Sequence, residues 1–367
     1  MSPSNGSSTA ESQFAQSVLS KNLSVKSGER VIIEAWNHTL PWAVALAREA
    51  RRIGATPLVT YEDEEAFWDL IEGGKVKVLG AFAEHEKAAL AKSNVYIHMW
   101  GPGDRVRLNA LPEKTANQAF GWNDAWYETA RKVGVRGARL EIGRPYPALA
   151  KAYNFDLQTW TDQVAAATMV DPARLERRAA PIAKALGSGK KLTITHPNGT
   201  SLTLGLARRP AVTFVGRPNP GDKKRPFDML CNLPSGAVRV SLDEGVADGT
   251  FVGNRTSYYD DGVATEPTFE FSGGKLRSAQ FATGGDRFDK PYKKGGKGRD
   301  QPGFLAIGLN PELHNTPQVE DIEAGAVMVS VGGNRQLGGK NLANFFGWGV
   351  VAGATVEVDG KPLNLAP

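Results

Sequence analysis

The sequence predicts two domains of different class: an α/β amino-terminal domain with a mostly parallel sheet, and a β-rich α+β carboxy-terminal domain. Three observations carry this expectation. The chain has 367 residues, 41% of them hydrophobic, enough for a core in each of two domains. Strand-like and helix-like segments alternate through the first half, the pattern of βαβ units. After "GSGKK", which starts at Gly187, the texture changes to short strands and glycine turns. The expected division is a disordered tail over 1–13, an α/β domain over 14–186 and a β-rich domain over 187–367.

The elements follow in order. "RVIIEA" is a β-branched strand ending at Trp36. In "HTLPWAVALAREARRIGA" Thr39 can cap a helix, Pro41 suits its first turn and Gly54 ends it. Trp42, Leu46, Ala50 and Ile53 keep helical spacing on one face. "TPLVTY" is a strand, "EEAFWDLI" a helix, and "SNVYIHMW" a strand stopped by the turn cluster "GPGD". "DAWYETARKVGV" is amphipathic, "ARLEIG" is a further strand, and Thr159–Leu186 reads as helices leading out of the domain. Beyond it, "PNGT" and "SGGK" mark hairpins between short strands such as "AVRVSL" and "AVMVSV". The basic, glycine-rich stretch 289–303 is expected to be a mobile surface loop or lid.

Composition narrows the function classes. The 44 basic and 39 acidic residues leave a net charge of +5, with no basic stripe that would suit nucleic acid. No apolar run is long enough to cross a membrane, and the start "MSPSNGSSTAES" lacks a signal peptide's basic and apolar regions, so a cytoplasmic protein is expected. The single cysteine, Cys231, fits a reducing compartment and reads as a buried structural thiol. Neither a phosphate-binding loop nor a GxSxG elbow is present, and no cofactor is expected.

Several short motifs, in order, resemble the thermophilic metallo-aminopeptidase family of the aminopeptidase T type. They are "LSVKSGERVIIEA", "THPNGTSLTL", "NLPSGAVRV" with "DGTF", "AIGLNP", "EAGAVMVSVGG", "GGKN" and "VEVDGKPL". The resemblance runs from about Phe14 and is weakest in the helical middle. It implies a two-metal site in the carboxy-terminal domain and a homodimer that encloses the active sites. The ligand positions it implies have all changed. The glutamates fall on Ala237 and Phe304, a histidine on Met328, and the last His-x-Asp pair on Gly347 and Gly349 around Trp348. A tyrosine near the metals falls on Arg335. Alanine, phenylalanine and glycine offer no side-chain donor, and a thioether suits zinc and magnesium poorly. No metal is therefore expected, and the ring-cleaving iron dioxygenases built on this scaffold need the same final pair.

What remains is a metal-independent hydrolase of a small carboxylate-bearing molecule. Arg239, two residues from Ala237, is expected to bind the anion, and Arg335 beside it is expected to be catalytic, holding the anion or stabilising an oxyanion. His38 and His98, at the carboxyl ends of predicted strands, are the candidate general bases, with Trp36 and Trp100 lining that edge. Ala237, Phe304, Met328 and Trp348 would form the wall of the former metal pocket, where glycines in place of His and Asp should leave a cavity. The alternatives are a non-catalytic member that binds a ligand or partner, and a metallo-aminopeptidase whose site is rebuilt from distant residues. "TSYYDDG" reads as a polar turn between strands.

Overall fold

The structure, a computed structural model, describes residues 10–222 and 225–366 except the side chains of 226 and 227. Residues 1–9 of the expected tail lie outside the described residues. Ala10–Gln16 is already helical (α1), with Phe14 and Ala15 buried. The chain divides into two units, Met1–Met169 with Gly216–Pro234, and Val170–Val215 with Ser235–Pro367. The change therefore comes before the long helix Pro172–Ser188 rather than after it, and a segment expected in the second domain returns to the first.

The first unit holds a five-stranded, wholly parallel sheet. Its strands are β1 (Arg30–Trp36), β2 (Thr56–Glu62), β3 (Val95–Met99), β4 (Arg136–Leu140) and a late strand that is β8 in chain order (Leu230–Leu233). The order is β2-β1-β3-β4-β8. Val31, Ile32 and Ile33 of β1 are all buried, as expected for a strand covered on both faces. Helix α2 (Leu40–Ile53) has Pro41 in its first turn and stops at Gly54, whose φ of +88° favours glycine. Thr39 does not cap it: its hydroxyl accepts from the Trp36 amide at 2.8 Å instead. The buried stripe is Ala43, Leu46, Ala47 and Ala50, while Trp42 packs on Phe14 at 4.8 Å. Strand β8, "LCNL", is too short to stand out in the sequence. It buries Cys231, and burial pushes that thiol up to about 12, which keeps it inert.

The second unit is built on an eleven-stranded sheet. Its strands are β5 (Lys191–His196), β6 (Thr200–Leu206), β7 (Val212–Phe214), β9 (Ala237–Val252), β12 (Thr268–Ser272), β13 (Lys275–Gln280), β14 (Pro302–Gly308), β15 (Ala326–Gly332), β16 (Phe346–Ala352), β17 (Thr355–Val358) and β18 (Lys361–Pro362). A separate hairpin, β10 (Ser257–Tyr259) with β11 (Gly262–Ala264), turns at Asp260 and Asp261, as "TSYYDDG" suggests. The two hairpins expected around "PNGT" and "SGGK" are β5–β6 and β12–β13. The 16-residue β9 pairs with β14 along Ala237–Ser241 and with β6 further on, so one strand ties the two halves of the sheet. The stretch 289–303 is not simply a loop. Asp286–Lys294 is a helix, because Phe288 is buried, stacks with Tyr292 at 5.6 Å and meets Phe345 edge-on at 5.2 Å.

Candidate functional site

Strand alternation assigns the facing of the positions that the resemblance compares with metal ligands, all in the second unit. Val238, Val240, Leu305, Ile307, Val327, Val329 and Val351 enter the main core, so the intervening residues share the opposite face. That face carries Ala237, Arg239 and Ser241 on β9, Phe304 and Ala306 on β14, Ala326, Met328 and Ser330 on β15, and Phe346, Trp348 and Val350 on β16. Ala306 stands in register with both Arg239 and Met328, and Met328 with Val350. Ala237, Phe304 and Met328 therefore do share one surface, where Ala306, Ala326, Met328 and Val350 form an apolar floor against Phe304 and Trp348.

Gly347 and Gly349 do not belong to that surface. A Cβ on Gly347 would meet the Phe288 ring at 2.3 Å, and one on Gly349 the Phe251 ring at 2.8 Å. They face the aromatic core, so the cavity expected from lost His and Asp side chains has no counterpart there. Above the floor stands a ladder of rings instead. Phe304 and Phe346 stack at 5.2 Å and 6°, Phe346 and Trp348 at 5.1 Å and 14°, and Tyr259 meets Trp348 at 4.8 Å. The small Ser330 on the intervening β15 lets Phe304 reach across to Phe346, and the serine hydroxyl accepts from the Phe304 amide at 2.7 Å.

Polar groups edge this face. Arg239 is already paired, Nη2 to Asp321 Oδ2 at 2.5 Å, and lies over Phe214 at 4.7 Å, which favours a structural role. Its Nε and the Ser241 hydroxyl are buried without a hydrogen-bond partner among the described residues. Glu320, 3% exposed, accepts from Trp348 Nε1 at 3.1 Å; burial, aided by Asp321, pushes its carboxyl up to about 8. Arg335 is exposed on the turn Arg335–Leu337, beside an Asn334 anchored to Glu244 at 3.0 Å.

The first unit holds both candidate histidines. Glu34 on β1 is two strand positions beyond Ile32, which registers with Tyr96, so Glu34, His98 and Arg139 form one cross-strand row that continues to Asn232 on β8. His98 Nδ1 lies 2.9 Å from Glu34 Oε2, and Tyr96 OH donates to the same oxygen at 2.8 Å. An ionised carboxylate only accepts, so Nδ1 donates in this contact and Nε2 is the ring nitrogen turned away from Glu34. Burial works against the Glu34 charge, but His98 and the Tyr96 hydroxyl outweigh it and hold this carboxyl below the usual range. Arg139 donates to Leu230 O and Asn232 Oδ1 at 3.4 and 3.5 Å and to the Tyr127 hydroxyl, and forms no salt bridge among the described residues. Asp228, which feels its charge, is bonded to Arg225 at 3.1 Å.

Trp100 stacks edge-on to His98 at 5.1 Å, under the Arg144 guanidinium at 4.0 Å. Trp36 is only 6% exposed and packs on Phe67, so it is a core residue and lines no open edge. His38 donates from Nε2 to Gly143 O at 2.9 Å, leaving a buried Nδ1 with no hydrogen-bond partner among the described residues. It lines a cleft of about 510 Å³ with Glu64, Trp68, Asp104 and Tyr146. The sequence reading missed Glu34, Tyr96, Arg139 and Glu320. A lone glutamate inside "RVIIEAW" was a usable signal, since a charge in a buried strand needs a partner.

The thermophilic metalloprotease (M29) family model matches residues 8–293. The chain belongs to this family. Two solved structures share its fold across nearly full length. Wild-type AmpT from Thermus thermophilus matches at a TM-score of 0.69 and 17% identity, over 96% of each chain. A 2,5-dihydroxypyridine dioxygenase from Pseudomonas putida KT2440 matches at 0.61 and 16%, over 98% of this chain and 97% of that one. No curated protein sequence matches. A divalent metal does not fit the face described above: Phe304 and Met328 bring a phenyl ring and a thioether to its apolar cluster, and Ala237 on the same face offers only a methyl. Among the described residues no group of three or more His, Cys, Asp or Glu is placed to hold a metal ion.

Proposed function

We propose that this family member is a metal-independent hydrolase of a small carboxylate-bearing molecule, with His98 as its general base. The observation that carries the reading is the Glu34–His98 pair at 2.9 Å, in one row with an Arg139 that forms no salt bridge among the described residues. His98 Nε2 takes a proton from water as the water oxygen adds to an acyl carbonyl. Glu34 stabilises the imidazolium that forms, and the proton then passes to the departing nitrogen or oxygen. Arg139 takes the anchoring role expected of Arg239, because Arg239 is bound by Asp321. The protein is read as a cytoplasmic homodimer.

The test is hydrolysis of a panel of small acyl amides and esters, each with and without a carboxylate, by chelator-treated protein. His98→Asn should lower kcat roughly 100-fold or more, the scale of a lost general base. Arg139→Ala should raise KM for the carboxylates only. Activity untouched by His98→Asn would end the proposal.

A second reading, a non-catalytic ligand-binding member, is favoured by the ring ladder, with Phe346 41% exposed. The similar fold of a dioxygenase named for a planar dihydroxypyridine supports a planar ligand on such a scaffold. Under this reading aromatic acids bind without turnover, Trp348→Ala abolishes binding and His98→Asn leaves it unchanged.

A further inference from the structure

The basic, glycine-rich stretch of the second unit takes no part in the hydrolase reading. Residues 290–299, "KPYKKGGKGR", hold five cations and no acid. Packing fixes this stretch in place. Phe345 meets Phe288 at 5.2 Å and Tyr292 at 5.3 Å, which anchors the helix Asp286–Lys294. A Cβ on Gly295 would fall 2.4 Å from the Phe345 Cβ, so the missing side chain lets the backbone pass this close. The turn that follows is bonded to the segment between β15 and β16. The Asn344 amide donates to Gly295 O at 3.1 Å, and the buried Asn341 donates from Nδ2 to Gly298 O at 2.7 Å. Two segments distant in sequence therefore present one surface.

That surface is basic, with an apolar tip. Lys293, Lys294, Lys297 and Lys340 are exposed, and none forms a salt bridge among the described residues. Arg299 donates to Lys293 O at 2.8 Å and lies over the Tyr292 ring at 5.0 Å, which adds a fifth cation. The acids of these segments are mostly taken by other cations: Asp286 by Lys290 at 2.9 Å, Asp300 by Lys275 at 3.4 Å, and Glu244, which accepts from the Lys340 amide, by Arg209 at 2.7 Å. Asp289, one helical turn before Lys293, forms no salt bridge among the described residues and leaves the balance positive. Like charges gathered in this way repel, and an anionic partner relieves that repulsion. Leu342, two residues from Lys340, is 71% exposed, the most exposed large hydrophobic side chain among the described residues. A nucleic acid backbone has no use for such a leucine. A lipid bilayer offers anionic headgroups for the lysines and an apolar layer for the leucine.

We propose that this surface docks on an anionic membrane, with Lys293, Lys294, Lys297 and Lys340 at the headgroups and Leu342 inserted beneath them. Docking of this kind needs no spanning segment, and no helix of the described residues is long and apolar enough to cross a membrane. Lysine suits the task, because its compact ammonium on a flexible stem follows headgroup charge without a fixed bidentate geometry. One leucine and a few charges make a reversible anchor rather than a permanent one. Its strength falls with ionic strength, since charges separated by more than a Debye length of about 8–10 Å are screened. The inference concerns where the protein sits and stands whether or not the hydrolase reading does.

The experiment is co-sedimentation of the full chain with phosphatidylcholine vesicles, with and without about 30% phosphatidylserine, at low and at physiological salt. The wild type should pellet only with the anionic vesicles, and less as salt rises. Changing Lys293, Lys294 and Lys297 together to glutamate should cut that binding by about 100-fold or more, roughly fivefold for each lysine lost. Leu342→Ser should weaken it roughly fivefold while binding to heparin stays unchanged, a split that a purely electrostatic patch would not show. Circular dichroism confirms folding, and the wild-type comparison of the two vesicle types decides even if a variant does not fold. A wild type indifferent to phosphatidylserine, a triple variant that binds like the wild type, or a Leu342→Ser variant with unchanged vesicle binding would each overturn the proposal. Single-stranded RNA bound more tightly than the anionic vesicles would also overturn it, and would assign the patch to nucleic acid.

Discussion

At the scale of single residues, the ionisable groups of the second unit give opposite pH signatures. Burial alone would raise the Glu244 carboxyl. The Arg209 hydrogen bonds at 2.7 Å, with those from the Lys340 amide and Asn334, hold it instead at about 2. A folded value below the unfolded one means stability present above about 4.5 and lost as pH falls toward 2. Glu244→Gln should therefore cost about 2 kcal/mol at neutral pH after solvent screening, and the gap to wild type should close in acid. Chemical denaturation across that range checks it; a gap independent of pH would remove the ion pair from the account. Glu320 runs the other way. Its folded value of about 8 exceeds the ordinary 4.5, so its contribution is full below about 4.5 and disappears as pH rises through about 8. Glu320→Gln should flatten that decline in the melting temperature between those limits, with little effect at pH 4.

At the scale of elements, β16 shows why motif position and side-chain direction must be read together. A His-x-Asp pair and Gly347-x-Gly349 look equivalent in sequence, but register places both glycines against Phe288 and Phe251. Gly347→Ala and Gly349→Ala should each destabilise the protein by about 1–3 kcal/mol through overpacking, and Gly347→His should not create a metal site. Thermal melts and zinc titration would test this; a tolerated Gly347→His that binds zinc would overturn the facing. Much of the element pattern was legible. The β-branched β1, the proline-to-glycine span of α2 and the "PNGT" and "SGGK" hairpins are local signals, and local signals survive into the fold. Strand β8 was not legible, because four residues without periodicity become a strand only when Arg139 and Gly137 of β4 offer them an edge. The helix Asp286–Lys294 was hidden by charge: its few apolar residues, Phe288 and Tyr292, count only once Phe345 is there to pack on.

At the scale of the whole molecule, the family match and the donor-poor sheet face lead to one expected outcome. Protein purified without chelators should carry no stoichiometric transition metal by elemental analysis, and chelators should leave its melting temperature unchanged. One tightly bound metal per chain would mean that ligands assemble from residues other than Ala237, Phe304 and Met328. The sequence by itself determined the class of each half and the family, because composition, short-range periodicity and motif order are all one-dimensional properties. Only the tertiary structure decided which of the named residues meet. Pairing of β1, β3 and β4 set His98 between Glu34 and Arg139, and Asp321 claimed Arg239. Packing sent Trp36 into the core, and strand alternation turned Gly347 and Gly349 away from the face that carries Met328. Those outcomes depend on contacts between residues far apart in the chain, where register and burial set which side chains face one another.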